Sequence, residues 1–122
     1  MKVHNDFFMI NCNEFLPDSK PDIGIGQTTC SSQKDANLLA QVLLDKNLVA
    51  CVQIEGPILS KYIWKGNAEE SEEWKLTIKF SNNNISSLTE TLTRKHPYEN
   101  PEWVYWKAGS TAEYTNWVEN PK

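Results

Sequence analysis

The side chains best suited to hold a soft or borderline metal ion are His96 and Cys30, an imidazole and a thiol. The histidine opens the run His96-Pro97-Tyr98-Glu99-Asn100-Pro101-Glu102. Imidazole and thiolate together suit copper or zinc, and a carboxylate from Glu99 or Glu102 could complete such a site or orient the ring. Each residue also has a plainer reading. His96 ends a helical stretch just before a proline, where it can hydrogen-bond to backbone and where the helix dipole favours a cation. The two glutamates equally suit surface or interface partners. Cys51 lies in a mostly apolar run, where a free cysteine packs as a small hydrophobe. Tyr62, Trp64 and Tyr98 are the residue types that line a cleft between subunits or pack an interface, and Lys61 and Lys79 have the reach to join them.

Bulk properties exclude several function classes. The formal net charge is −4, and Lys34, Lys46, Lys61, Lys65, Lys75, Lys79 and Lys107 are scattered singly. A nucleic-acid or anionic-membrane binder needs a clustered basic surface, so neither partner is expected. The sole arginine is Arg94, and Thr28-Thr29-Cys30-Ser31-Ser32-Gln33 follows the first extended run, which leaves no arginine-bearing phosphate loop of the acylphosphatase kind. Gly24-Ile25-Gly26 lies inside a strand pattern, not between strand and helix, so it is no phosphate loop either. No catalytic constellation emerges, and the chain reads as a non-enzyme. The 3 cysteines, Cys12, Cys30 and Cys51, lack Cys-x-x-Cys spacing and read as free thiols in a reducing compartment. Phe7-Phe8-Met9-Ile10 is too short for a signal-peptide core, which makes the cytoplasm the expected location.

These residues need elements to position them. With 122 residues and an apolar fraction of 39%, one domain can bury a sufficient core without disulfides or a structural metal. Asp22 to Cys30 reads as a strand whose glycine face permits close approach. Ser31-Ser32 and Asp35 start a helix with Ala36, Leu39, Ala40 and Leu43 on one face, reaching about Asn47. Ala50–Trp64 is a long extended segment that Gly56-Pro57 must bend. After the turn Lys65-Gly66-Asn67, a strand over about Glu72–Phe80 alternates Trp74, Leu76, Ile78 and Phe80 with Lys75, Thr77 and Lys79. Ser81-Asn82-Asn83-Asn84 caps a helix bearing Ile85, Leu88 and Leu92. Pro101–Ala108 is the last strand, and Gly109-Ser110 opens a short helix with Tyr114, Trp117 and Val118. This order predicts an α+β, ferredoxin-like split β-α-β sandwich: an antiparallel sheet with a long β-hairpin and an extra C-terminal helix. Residues 1–20 read as a flexible N-terminal extension and residues 21–122 as the folded domain.

Three motifs stand together at characteristic separations: Ala50-Cys51-Val52-Gln53-Ile54 after the first helix, Tyr62-Ile63-Trp64-Lys65-Gly66 at the hairpin tip, and His96 to Glu102. With Tyr114-Thr115-Asn116-Trp117 they resemble the CutA divalent-ion-tolerance family over about residues 22–119. The resemblance implies a homotrimer whose hairpins pack between subunits. It also implies a response to copper and other divalent cations, through weak metal binding and without established catalysis. The copper positions of bacterial members fall on Thr28, Lys95 and His96, and only the last is kept. A hydroxyl cannot replace a thiolate, and a lysine ammonium repels a cation. Cys30 shares a strand face with Thr28 and could partly substitute.

The trimer has an independent rationale. Such long hairpin arms overshoot a small sheet, and their projecting edge and aromatic side chains need cover. Two other readings stay open: a non-metal trimeric scaffold, and a small-ligand signalling module resembling the trimeric PII proteins. Cys51, Tyr62, Trp64, Lys79, Tyr98, Glu99 and Glu102 are the candidate cleft or interface residues.

Overall fold

The computed structural model describes residues 21–122. The extension read over residues 1–20, with Cys12, lies outside the described residues. The chain runs β1 (Asp22–Cys30), α1 (Gln33–Asp45), β2 (Cys51–Trp64), β3 (Asn67–Phe80), α2 (Ile85–Lys95), β4 (Val104–Gly109) and α3 (Ala112–Glu119). The strands form one antiparallel sheet in the order β2-β3-β1-β4. This is the ferredoxin-like α+β arrangement that the element order predicts.

Local chemistry explains the boundaries. The Ser32 hydroxyl accepts the Asp35 N–H at 3.0 Å and starts α1, and Asn47 leaves the helix with φ of 58°. Ala36, Leu39, Ala40 and Leu43 are buried, as their spacing requires. They pack with Leu76, Ile78 and Phe80 of β3 and with Leu88 and Leu92 of α2 in one core cluster. Gly24 and Gly26 present their bare faces to the rings of Phe80 and Trp103, and a Cβ at either would collide with them. The close approach expected of these glycines is thus made by core aromatics.

The hairpin turns at Lys65 and Gly66, whose φ angles of 51° and 83° suit a tight two-residue connection. Its register shifts between Glu55 and Ile58, where Gly56-Pro57 was expected to bend the strand. Three boundaries differ from the expectation. β3 begins at Asn67 because Ala68, Glu69 and Glu70 pair with Ile63, Tyr62 and Lys61 although they show no apolar alternation. β4 begins at Val104, after the Pro101–Trp103 segment, and α3 begins after Thr111, whose hydroxyl accepts the Tyr114 N–H at 3.2 Å. α3 lies on the face of the sheet opposite α1 and α2, where the Lys79 ammonium sits 5.9 Å from the Tyr114 ring centroid.

Candidate functional site

α2 ends at His96, whose backbone N–H still bonds to Leu92 O at 2.9 Å while its own φ and ψ turn extended before Pro97. That turn drives the imidazole inward until it is 7% exposed. There it meets the end of β1. Nδ1 accepts the Tyr98 N–H at 3.0 Å, so Nε2 carries the proton and donates to the Thr29 carbonyl at 2.9 Å. The Thr28 hydroxyl is 3.0 Å from the same Nε2, and the Cys30 Sγ is 3.9 Å from it.

Burial lowers the His96 pKa from its usual 6.5; the Thr29 carbonyl and the charges of Asp35 and Glu73 oppose that shift without reversing it. The same burial, assisted by Asp35 and Glu73, pushes the Cys30 thiol up to about 11. The structure therefore brings His96, Thr28 and Cys30 together but as a closed polar cluster. Both imidazole nitrogens are engaged and the thiol is held protonated, so the donor set as folded does not fit a metal ion. Among the described residues no group of three His, Cys, Asp or Glu side chains is placed to hold one. Lys95 is exposed beside the buried histidine.

Above this cluster, towards the hairpin, lies a cavity of about 710 Å³. Tyr62 and Trp64 of β2, Tyr98, and the carboxylates of Glu73, Glu99 and Glu102 line it, and among the described residues no lysine, arginine or histidine stands in its walls. Glu73 is its best-anchored acid: its Oε2 accepts from the Tyr98 hydroxyl at 2.7 Å and from the Thr29 hydroxyl at 3.0 Å. Burial, then the hydrogen bond to Glu73, raises the Tyr98 phenol well above its usual range. Glu102 Oε2 accepts from Gln27 Nε2 at 3.1 Å. Tyr98 thus joins the two layers, its N–H fixed by His96 and its hydroxyl by Glu73, with the two rings 4.9 Å apart.

Of the residues singled out from sequence, Tyr62, Trp64, Tyr98, Glu99 and Glu102 meet in this cavity. Cys51 and Lys79 pair with each other at the far end of the hairpin, and Lys61 pairs instead with Glu70 at 3.6 Å. Three polar residues of the site were not singled out from the sequence: Glu73, Thr29 and Gln27. Glu73 sits in an acidic run that reads as a solvated face. Thr29 and Gln27 could have been found by period two, since they share the β1 face opposite Thr28.

The fold and these motifs define a small α+β protein of ferredoxin-like architecture with an extended β-hairpin. The family model for CutA1 divalent ion tolerance protein matches residues 25–121, and the chain belongs to that family. Mouse Protein CutA is 33% identical over 100 residues, covering 72% of this chain and 56% of its own length. The divalent-cation tolerance protein CutA of Thermus thermophilus is 33% identical over 91 residues, covering 74% of this chain and 88% of its own. Among solved structures, CutA1 from Shewanella sp. SIB1 superposes with a TM-score of 0.75 at 31% identity, covering 81% of this chain and 94% of that one. The chain spans about half the length of the vertebrate relatives it matches, at 56%, 42% and 47%.

Proposed function

We propose that this protein is a cytoplasmic homotrimer that responds to divalent cations of the copper type and binds them weakly. The observation that carries the assembly is an uncovered apolar surface. Leu59 and Ile63 stand 61% and 70% exposed on one face of the hairpin, and Val104, Tyr105 and Trp106 stand about half exposed on edge strand β4. Unpaired edges and apolar strands of this length call for a partner, and a second and third copy supply one. Ile63→Glu with Tyr105→Glu should convert a trimer to monomer in light scattering; a wild-type monomer at micromolar concentration would end this reading.

The closed cluster requires any metal binding there to be weak. Ligation through His96 requires the ring to release a hydrogen bond, and ligation through Cys30 requires loss of a proton held up to about pH 11. Calorimetric titration of Cu(II) and Zn(II) into reduced protein, beside His96→Ala matched for oligomer size, tests this directly. Weak binding that the variant loses supports it, and binding unchanged by the variant refutes it.

A second reading is favoured by one observation, the aromatic-walled cavity. It makes the chain a small-ligand module, with Tyr62, Trp64 and Tyr98 as its walls. The two readings use different faces of the hairpin. Leu59 and Ile63 alternate with Ser60, Tyr62 and Trp64, so assembly through the first pair leaves the cavity face to a ligand.

A further inference from the structure

The geometry points to a small organic cation, an alkylammonium compound, as the ligand of the Tyr62–Trp64–Tyr98 cavity; this rests on the small-ligand reading above. Three carboxylates, Glu73, Glu99 and Glu102, face the cavity, and among the described residues no basic side chain in its lining neutralises them. The anchored Glu73 receives both of its hydrogen bonds on Oε2, and its Oε1 has no partner among the described residues. Glu99 has no hydrogen bond or ion pair among the described residues. An anion would meet only like charge in these walls. A bare divalent ion would gain from the carboxylates but would leave three aromatic side chains facing it to no purpose.

An alkylammonium uses both kinds of wall. Its charged nitrogen donates to carboxylate oxygens, and its alkyl groups and diffuse charge lie against the rings. Trp64 already engages one such group, because the Lys65 ammonium lies 5.6 Å from its ring centroid. The cavity, at about 710 Å³, has room for a chain of several carbons as well as the nitrogen.

The test uses the full chain in its native oligomeric state and four probes, read by calorimetry and ligand-observed NMR. They are 1,8-diaminooctane, the neutral 1,8-octanediol, the anionic octanedioate and Mg²⁺. The diamine should bind at least about tenfold tighter than the diol, weaken as salt is raised, and exclude octanedioate. Glu99→Gln and Trp64→Leu should each weaken it by roughly threefold, with circular dichroism and light scattering confirming an unchanged fold. Equal binding of diamine and diol would overturn the cation assignment while leaving a small-ligand module standing. Binding of none of the four would overturn both. Displacement of the diamine by Mg²⁺ at similar concentration, or a diamine affinity that neither variant changes, would likewise overturn the proposal.

Discussion

Replacing His96 tests whether the closed cluster exists in solution, and its cost can be worked from the contacts. The imidazole donates to Thr29 O at 2.9 Å, accepts from the Tyr98 N–H at 3.0 Å, and stands 3.0 Å from the Thr28 hydroxyl. In His96→Ala all three lose their partner, and the Thr28 hydroxyl, 0% exposed, cannot turn to water. Two net hydrogen bonds at about 1 kcal/mol each, with a buried hydroxyl left unsatisfied at about 1–3 kcal/mol, give a loss of about 3–5 kcal/mol. Against a typical total of about 5–15 kcal/mol this is a severe variant. His96→Gln keeps an amide donor near the position of Nε2 and loses only the acceptor for Tyr98, so it should cost about 1 kcal/mol.

The pH dependence separates this account from simple loss of packing. Burial lowers the folded-state pKa of His96, while the unfolded chain takes up its proton near 6.5. Below that value the unfolded state binds more protons. Wild-type stability therefore falls as pH drops through 6.5 towards the lowered folded value, with a slope of at most about 1.4 kcal/mol per pH unit. His96→Gln has no such proton to bind, so its deficit should shrink on going from about pH 7.5 to about pH 5.5. Urea denaturation followed by tryptophan fluorescence, at one fixed chain concentration, measures both quantities. Parallel curves for wild type and His96→Gln across that range, or a His96→Ala cost below about 1 kcal/mol, would refute the reasoning.

Cys30 gives the alkaline counterpart: its folded pKa is raised from 9.0 to about 11, so its contribution is complete below pH 9 and lost as pH rises to about 11. That loss is at most about 3 kcal/mol and should be missing from the pH profile of Cys30→Ala; a thiol reagent at about pH 8 should label Cys30 only after unfolding. Gly26→Ala pushes a methyl into the Trp103 ring and should cost about 1–3 kcal/mol in urea denaturation, together with a shift in tryptophan emission. A neutral Gly26→Ala would mean that Trp103 does not lie over β1. Tyr98→Phe deletes the 2.7 Å hydrogen bond to Glu73 and should lower stability by about 1 kcal/mol, reduced from the buried charge-assisted value because both groups are only partly buried. No change in its denaturation midpoint would show that this link does not hold in solution.

The architecture was legible because each element repeats its period often enough to be read. The stripe Ala36, Leu39, Ala40 and Leu43, the alternation from Trp74 to Phe80, and the order of strands and helices led directly to the observed sheet. The outer half of β3 was not legible. Asn67 to Ser71 contains one apolar residue, Ala68, and forms a strand because β2 lies alongside it, a cause that exists only in three dimensions. The site divided in the same way. Residues within one motif, Tyr98, Glu99 and Glu102, were found together because they are neighbours in the chain. Glu73 was missed because its two partners, Thr29 and Tyr98, come from other elements. His96 was singled out correctly as a residue at a helix end, but its reach to Thr29 and Thr28 depends on how α2 packs against β1.

The cluster and the cavity are not independent, because Tyr98 belongs to both. A metal ion at Nδ1 of His96 would displace the Tyr98 N–H. A metal ion at Nε2 would require the ring proton to move to Nδ1, which turns the same acceptor into a donor facing that N–H. Ligation at either nitrogen therefore removes the contact that fixes the Tyr98 backbone, and the Tyr98 ring forms one wall of the cavity. Occupancy of the cavity, by holding Tyr98 in place, must by the same reasoning oppose ligation at His96, since coupling between two binding equilibria is reciprocal. Were both proposed readings to hold, a metal response and a small-ligand response would converge on one element, the segment from His96 to Glu102. Its closed form is held at one end by a neutral imidazole and at the other by the carboxylate of Glu73.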